Sequence, residues 1–404
     1  MKNNYRAEKP VIGGFMKKLL VLVLMAGIVF SCFAGGSSEK TQDTGVQAAV
    51  KAAEKMTWDE LLQKAKEEIG DNELVIYGTT SRVKETSFTE KTGIKIKTDQ
   101  PDDTQIYEKM QAEIGNGLYG ADVFVTTDSF NLVNLAFANN WVVNYVPAEA
   151  KQYISESDQN PLVALYYDRL FIYNNGGGSL KNYITNVWQV TEPEFKGIEM
   201  KSPLLEKCSM NFLITLTSPE WQAKLAEAYK SYYGKDWVNE GKYPNISYEW
   251  IHKFIQNCSF INKDSTVAKD LANGNKGASG LFLFEKFRGV NYSNLTVAAT
   301  EGIEGFAGFL YPIFSVVASN AKYPYAACLY ISYLMKEDGF RALFGKDMGA
   351  YSANTSVKVS ADALAVGDQD FSFWLDICVI EDPAYISSVY AQAYTKIAGW
   401  CAGK

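Results

Sequence analysis

The stretch LVIYGTTSR, residues 74–82, joins a short apolar run to a turn that is rich in hydroxyl side chains. A short run of apolar residues is typical of a strand buried on both faces of a parallel sheet. The turn opens a helix, whose free N–H groups, together with the hydroxyls of Thr79, Thr80 and Ser81, favour anions and polar oxygens. Helix capping explains the same residues equally well, because serine and threonine are favoured caps.

Helices and strands alternate on both sides of this turn. Thr57 and Glu60 form a capping box at the start of a helix that Gly70 ends. Residues 94–97 and 121–125 are predicted as further strands. This alternation predicts right-handed βαβ units and an α/β fold built on a mainly parallel sheet with flanking helices.

A second polar turn follows the third strand at Thr127 and Asp128. Because ligands of such sheets lie at the carboxyl ends of the strands, both turns are expected to open into one crevice. Asp128 could instead cap its own helix. Farther along the chain, residues 163–166 and 170–173 are predicted as two strands, broken by Tyr167, Asp168 and Arg169.

Residues 16–32, MKKLLVLVLMAGIVFSC, have the features of an export signal. Two lysines precede an apolar core over 19–30, which is too short for a comfortable spanning helix. The end of this segment, VFSC, resembles a bacterial lipobox, and that resemblance implies cleavage that leaves Cys32 as a lipid-carrying N-terminus. An ordinary secretory signal, in which Cys32 has no role, is the alternative.

Residues 1–31 are therefore expected to be a signal peptide, with Met16 as a possible true start, and residues 32–55 to be a lipid-anchored linker. The mature protein is expected in the periplasm, anchored to a bacterial membrane by its N-terminal lipid. No later apolar run is long enough to span a membrane. A formal charge of −7, with no clusters of basic and aromatic residues, argues against nucleic acid as a partner.

The residues with reactive side chains exclude several classes of site. Because His252 is the only histidine, most catalytic triads and most zinc sites are excluded. GNGLYG at 115–120 matches a dinucleotide fingerprint in its letters, but it follows a helix and precedes a strand, so we predict a loop. No GxSxG, HExxH or Walker A sequence is present, and we expect neither an enzyme nor a resident cofactor or metal.

Five cysteines besides Cys32 lie outside any CxxC pair, and most are flanked by apolar or aromatic residues. They are predicted to be small buried side chains, with one disulfide left open as a possibility in an exported protein. These cysteines are Cys208, Cys258, Cys328, Cys378 and Cys401.

Six segments, in this order, resemble the extracellular solute-binding proteins of ABC importers, and the nearest branch is that of the ferric-iron-binding proteins. The segments are ELVIYGTTS (73–81), EKTGIKIK (90–97), ADVFVTTD (121–128), ALYYDRLFIYN (164–174), ASNAKYPYAACLYISYLMKEDG (318–339) and GAYSAN (349–354).

The resemblance implies a two-lobed periplasmic-binding-protein fold of the second topological class, with two crossovers acting as a hinge. Lobe 1 is expected over 56–168 and 313–355, and lobe 2 over 169–312 and 356–404. It also implies a monomer that takes one small ligand into the interlobe cleft and delivers it to the membrane permease. The ligand contacts that it implies are Thr79, Thr80, Ser81, Thr127, Asp128 and Tyr167.

One departure from the family concerns the metal. Ferric binders usually carry a tyrosine pair before the second crossover, whereas residues 280–287 here contain Phe282 and Glu285 but no tyrosine. Phe282 and Glu285 would suit an organic ligand, although Phe282 could equally belong to the core. With Arg82 and Arg169 nearby in the sequence, we expect a polar, anionic organic ligand such as a sugar phosphate. A ferric-iron receptor is the alternative, and an exported hydrolase on a similar fold and a surface adhesin or structural lipoprotein are further ones.

Overall fold

The computed structural model of the chain describes residues 45–84, 86–177, 184–275, 277–344 and 348–404. The described residues form one compact unit. The expected signal peptide, Cys32 and the first part of the linker lie outside the described residues.

Strands of the described chain form one sheet. They are β1 (Glu73–Gly78), β2 (Lys95–Asp99), β3 (Val123–Thr126), β4 (Val142–Val143), β5 (Val163–Asn174), β6 (Ile198–Lys201), β7 (Cys258–Ile261), β8 (Ser279–Phe282), β9 (Leu295–Val297), β10 (Gly308–Ala318), β11 (Ala350–Ser352) and β12 (Val379–Ile380).

The α-helices of the described chain connect these strands and cover the sheet. They are Gly45–Ala53, Trp58–Ile69, Ser87–Thr92, Gln105–Glu113, Ser129–Asn131, Lys207–Thr215, Pro219–Tyr233, Ile246–Asn257, Asp264–Asn273, Pro324–Met335, Glu337–Leu343, Ala361–Ala365, Phe371–Ile377 and Pro383–Ala402.

The main strand order is β2-β1-β3-β10-β5-β8-β6-β7. In the first half-sheet, β1 pairs in parallel with β2 and β3, and in the second half-sheet, β6 pairs in parallel with β7 and β8. The long strands β5 and β10 lie between the halves, antiparallel to each other and to their outer neighbours β8 and β3. Every residue of β5 and β10 is buried. The predicted α/β fold is confirmed, with two mainly parallel half-sheets joined by two crossing strands.

Local sequence accounts for the first half-sheet. Thr57 accepts from the Glu60 N–H and the Glu60 side chain accepts from the Thr57 N–H, so the predicted capping box forms. The turn after β1 needs a glycine at its start, because a Cβ on Gly78 would lie 2.5 Å from Val83 Cγ1. That close approach lets the segment Thr79–Arg82 fold back over the end of the strand.

The predicted break at Tyr167–Arg169 is wrong, because β5 runs through it without interruption. Two neighbouring strands supply backbone partners at this point: Tyr167 lies opposite Tyr311 of β10 and Ala350 of β11. The two charged side chains, which suggested a turn, find partners inside the protein. Asp168 Oδ1 accepts from the Phe284 N–H at 3.2 Å, and Arg169 binds carboxylates that the next subsection describes.

Other local predictions can be compared directly. The segment 115–120 is a loop between the helix Gln105–Glu113 and β3, as predicted. The five cysteines beyond Cys32 are buried and free, so the structure contains none of the disulfides that they could form. His252 Nδ1 shares a hydrogen bond with Tyr243 Oη at 2.9 Å, and the imidazole ring packs against Trp400. Among the helices of the described chain, none is both long and apolar enough to cross a membrane.

Candidate functional site

A cavity of about 340 Å³ lies between the two half-sheets. Its walls come from the turn after β1, from residues that follow β2 and β3, from the crossing strands β5 and β10, and from the ends of β6 and β8. This position matches the rule that ligands of parallel sheets lie at the carboxyl ends of strands.

The structure brings most of the predicted site residues to this cavity. The predicted residues that line it are Thr79, Thr80, Ser81, Thr127, Tyr167, Arg169 and Glu285. Thr79 Oγ1 is buried and has no hydrogen-bond partner among the described residues. Two distant polar turns and one crossing strand therefore converge as the sheet topology predicts.

Asp128 and Phe282 do not line the cavity, and each has a structural reason. Asp128 Oδ1 accepts from the Asn131 N–H at 3.1 Å, so it caps the short helix Ser129–Asn131. Phe282 is fully buried at the end of β8, where its ring packs near Phe287 in the core. Asp128 therefore caps its own helix and Phe282 belongs to the core, which are the alternatives that the sequence analysis gave for these two residues.

The positive charge of Arg169 is balanced inside the protein by two carboxylates. Its Nη1 lies 2.6 Å from Asp264 Oδ1 and its Nη2 lies 2.5 Å from Glu206 Oε2. Lys201 Nζ contacts the other oxygen of Glu206 at 2.6 Å. Burial disfavours the charged guanidinium, but the two carboxylates outweigh it and hold the pKa of Arg169 well above its usual range. Arg169 is therefore a permanent cation that already has two anionic partners.

A second charged cluster also contributes to the lining of the cavity. Glu285 contacts Lys286 closely and also lies 3.9 Å from Arg82 Nη2 and 3.7 Å from Arg288 Nη2. Burial raises the pKa of the Glu285 carboxyl, but Lys286, Arg288 and Arg82 outweigh burial and lower it. The Arg82–Glu285 pair joins the turn after β1 to the segment after β8, so it bridges the two half-sheets.

Asp103 is an acidic residue of the cavity that sequence reasoning missed. Thr127 Oγ1 donates a hydrogen bond to Asp103 Oδ1 at 2.7 Å. Burial is the main cause that raises the pKa of Asp103 to about 6, against the lowering effect of the Thr127 hydrogen bond. The local signal was its position just before the helix Gln105–Glu113, at the carboxyl end of β2.

Two tyrosines also line the cavity, and only Tyr167 was predicted. Tyr311 lies opposite Tyr167 in the β5–β10 pairing, with the two ring centroids 6.0 Å apart. Burial raises the pKa of the Tyr311 phenol well above its usual range. The phenols that the sequence did not offer at 280–287 are thus supplied by the crossing strands.

The remaining lining residues were also missed, since only tertiary structure brings them together. They are Asp102, Lys201, Leu205, Glu206, Cys208, Asp264, Leu283, Lys286 and Ile313. Arg82, which the sequence analysis named beside the predicted turn, lines the cavity as well. Among the described residues of the lining, five carboxyl side chains face four cationic ones. The described part of the chain holds no group of three His, Cys, Asp or Glu side chains arranged for a metal ion.

No protein-family model matches the sequence, and no curated protein sequence matches it. Solved structures do match. Iron-bound HitA from Pseudomonas aeruginosa is 15% identical, with a TM-score of 0.63 over 81% of this chain and 98% of that one. An iron protein of Trichodesmium, IdiA or FutA, solved with iron and citrate, is 14% identical, with a TM-score of 0.59 over 81% and 99% of the two chains.

A third match is the structure of an ABC transporter protein from Clostridium perfringens. It is 15% identical, with a TM-score of 0.54, and covers 81% of this chain and 100% of that one. At these identities the likeness concerns the fold. The chain therefore has the fold of the periplasmic-binding-protein type to which these solute- and iron-binding proteins conform, as the six sequence segments predicted.

Proposed function

We propose that this chain is a solute-binding protein that captures an iron-containing ligand in the 340 Å³ cavity and delivers it to the permease of an ABC importer. The observation that carries the proposal is the polar, charge-paired lining at the junction of the half-sheets. Capture and release there leave the covalent structure of the ligand unchanged, so the proposed role is transport rather than catalysis. The similar iron-bound HitA, the Trichodesmium protein with iron and citrate, and the Clostridium ABC transporter protein support the same role.

The charges of the cavity favour iron over the sugar phosphate that the sequence suggested. An anionic ligand needs cations without partners, but Arg169 already binds Asp264 and Glu206, and Arg82 faces Glu285. Hard oxygen atoms from carboxylates and phenols suit ferric iron instead. HitA, described as iron-bound, and the Trichodesmium protein, described with iron and citrate, support this choice.

The size of the cavity favours a ferric chelate over a bare ion. A water molecule occupies about 30 Å³ of liquid, so 340 Å³ is roomy for a single ion but suitable for an ion with a small chelator. The phenols of Tyr167 and Tyr311 supply oxygen ligands for the metal. Arg82 and Lys286 line the same cavity and both contact Glu285, so a chelator's carboxylates would bind them only while Glu285 contacts the metal.

The remaining organisation belongs to the same proposal. Cys32 carries lipid and holds a monomeric protein at the outer face of the membrane that contains the permease. Residues 56–168 with 313–355 act as one lobe, and residues 169–312 with 356–404 act as the other. The Arg82–Glu285 contact then forms across the cleft when the lobes close.

Ligand-induced stabilisation tests the proposal on the mature chain. Iron content is measured on protein as purified, and thermal unfolding is followed with ferric citrate, ferric nitrilotriacetate, citrate alone and glucose 6-phosphate. A ligand at a hundred times its dissociation constant adds about 2.7 kcal/mol to the free energy of unfolding. We expect this gain with a ferric complex only. A gain with glucose 6-phosphate alone restores the sugar-phosphate hypothesis, and no gain with any of them contradicts the receptor role.

Variants then identify the metal ligands. Tyr167→Phe and Tyr311→Phe should each weaken or abolish the visible phenolate-to-iron charge-transfer band of the loaded protein. Tyr145→Phe is the matched control, because Tyr145 is a buried tyrosine that bonds Ser332 away from the cavity. An unchanged band in both cavity variants would exclude these phenols as ligands.

The pH dependence distinguishes a ligand that binds through its metal from a purely anionic one. With a pKa of about 6, Asp103 is ionised above that pH and protonated below it. Affinity for a ferric ligand should therefore fall as the pH drops through 6, and Asp103→Asn should flatten the curve. An anionic ligand would bind more tightly, not less, as Asp103 loses its charge.

A further inference from the structure

A second cavity, of about 850 Å³, lies on the other face of the crossing strands. Side chains alternate between the faces of a strand. Tyr167 of β5 and Tyr311 of β10 line the first cavity, whereas their neighbours Tyr166 and Pro312 line the second. The two cavities therefore share β5 and β10 as a common wall but open on opposite sides of it.

The second cavity has an apolar and largely aromatic wall. The side chains that form it include Phe137, Val163, Phe314, Phe371, Leu375 and Ile380. Leu375 is 37% exposed there. The ring of Tyr166 packs against Phe371 at a centroid distance of 5.4 Å, while its hydroxyl donates to Asp158 at 2.6 Å. Such a wall suits the apolar or aromatic body of a small molecule.

The wall of this cavity carries carboxyl side chains and no basic ones among the described residues. Asp158, Glu381 and Asp382 line the cavity, and none of the described residues that line it is a lysine or arginine. This contrasts with the first cavity, where acids and bases pair. An acidic rim around an aromatic wall is complementary to an organic cation, which both carboxylates and ring faces attract.

Glu381 adds a specific recognition element. It follows β12 and is 6% exposed, and its Oε1 accepts from Asn211 Nδ2 at 3.0 Å and from Ser129 Oγ. Its Oε2 has no hydrogen-bond partner among the described residues. A buried carboxyl oxygen without a partner is costly, and a donor from a ligand would satisfy it.

We infer that this second cavity is a binding site for a small organic cation with an aromatic body, such as an arylalkyl amine. The ring packs against the Phe314–Phe371 side and the ammonium group faces Glu381. Because β5 and β10 line both cavities, an occupant here touches the strands that also shape the iron site. The inference stands on the second cavity itself and does not depend on the ligand of the first.

Three ligands of one shape test the charge preference. Phenethylamine, 2-phenylethanol and 3-phenylpropionate carry the same ring with a cationic, neutral or anionic end. Their dissociation constants are measured by calorimetry and ligand-observed NMR on the mature chain at pH 9, where Glu381, whose pKa burial raises to about 8, is ionised. A charge-assisted hydrogen bond should make the amine bind about tenfold or more tightly than the alcohol, and the acid should bind weakest. Equal affinities for the amine and the alcohol would overturn the inference.

Two tryptophan variants locate the site. Leu375→Trp fills the cavity from an already exposed position, and should abolish phenethylamine binding. Leu364→Trp is the matched control, because Leu364 is an exposed leucine, 45% accessible, that does not line the cavity. Binding that survives Leu375→Trp unchanged would contradict the assignment, as would displacement of phenethylamine by ligands of the first cavity.

A third variant tests Glu381. Glu381→Gln keeps the side-chain shape and removes the charge, so the preference for the amine over the alcohol should fall severalfold while the alcohol binds as before. If this variant fails to fold, the Leu375 and Leu364 pair still decides the location and the three-ligand series still decides the chemistry. A folded Glu381→Gln protein that keeps the full preference would show that Glu381 is not the partner.

Discussion

Replacing Glu381 with glutamine should make the protein more resistant to unfolding at alkaline pH, by an amount that grows as the pH rises. Burial raises the pKa of Glu381 from 4.5 to about 8, against the lowering effect of the hydrogen bonds from Ser129 and Asn211. In the unfolded chain the same carboxyl ionises near its ordinary pKa of 4.5. The folded protein therefore holds a proton that the unfolded chain releases.

The sign and size of the effect follow from this difference. Because the folded pKa is the higher one, the stabilisation by protonated Glu381 is fully present below about pH 4.5 and declines as the pH rises. It is lost once the pH has passed through about 8. At 1.36 kcal/mol per pKa unit, the whole loss is about 5 kcal/mol. Glutamine stays neutral throughout and still offers an oxygen to Asn211, so the variant should escape this loss.

Urea denaturation of both proteins from about pH 5 to pH 9 measures the effect. The free energy of unfolding of Glu381→Gln minus that of the wild type should rise by about 1.4 kcal/mol per pH unit up to pH 8 and then level off. Glu68, whose pKa is raised to about 7, acts in the same direction in both proteins and cancels in this difference. Asp376→Asn, an exposed carboxylate on the preceding helix, controls for the loss of one negative charge. Parallel curves for wild type and Glu381→Gln would refute the reasoning.

Three other substitutions have expected outcomes. Arg169→Met should lower the free energy of unfolding by about 3–5 kcal/mol in denaturation experiments, because it leaves Asp264 and Glu206 as buried carboxylates without their cation. Gly308→Ala should lower the melting temperature strongly, since its Cβ would lie 2.0 Å from the Arg169 carbonyl oxygen, whereas Gly399→Ala, with open space around it, should not. Cys32→Ala should yield uncleaved or soluble protein in cell fractionation, and unchanged membrane association would contradict lipidation.

Local signals accounted for the framework of the fold. The capping box at Thr57 and Glu60 forms because its partners are three residues apart. Strand β1 and the turn after it could be predicted because a short apolar run followed by glycine and hydroxyl residues is typical of a buried strand that ends in a turn. The meeting of Thr79 and Thr127 also followed from the sequence, since the carboxyl ends of neighbouring parallel strands share an edge.

Partners that are distant in sequence could not be predicted, and for this reason the predictions of one strand and of part of the site differ from the structure. Tyr167–Arg169 looked like a break because an isolated strand rarely holds adjacent charges in its interior. Here Arg169 binds Asp264, 95 residues away, so the charge no longer argues against burial. Tyr311 was missed for the same reason, because only its pairing with Tyr167 across β5 and β10 brings it to the cavity.

The partners of Arg169 also decide what the cavity can bind. Read along the sequence, Arg82 and Arg169 beside hydroxyl-rich turns predicted an anion site. In the structure, each arginine faces a carboxylate from the other half-sheet or from a distant helix, Glu285 for Arg82 and Asp264 for Arg169. An anionic ligand would have to compete with these internal carboxylates, whereas a ligand that carries both a metal and carboxylates can use the acids and the bases together. The fold therefore changes an apparent anion site into one suited to a metal chelate.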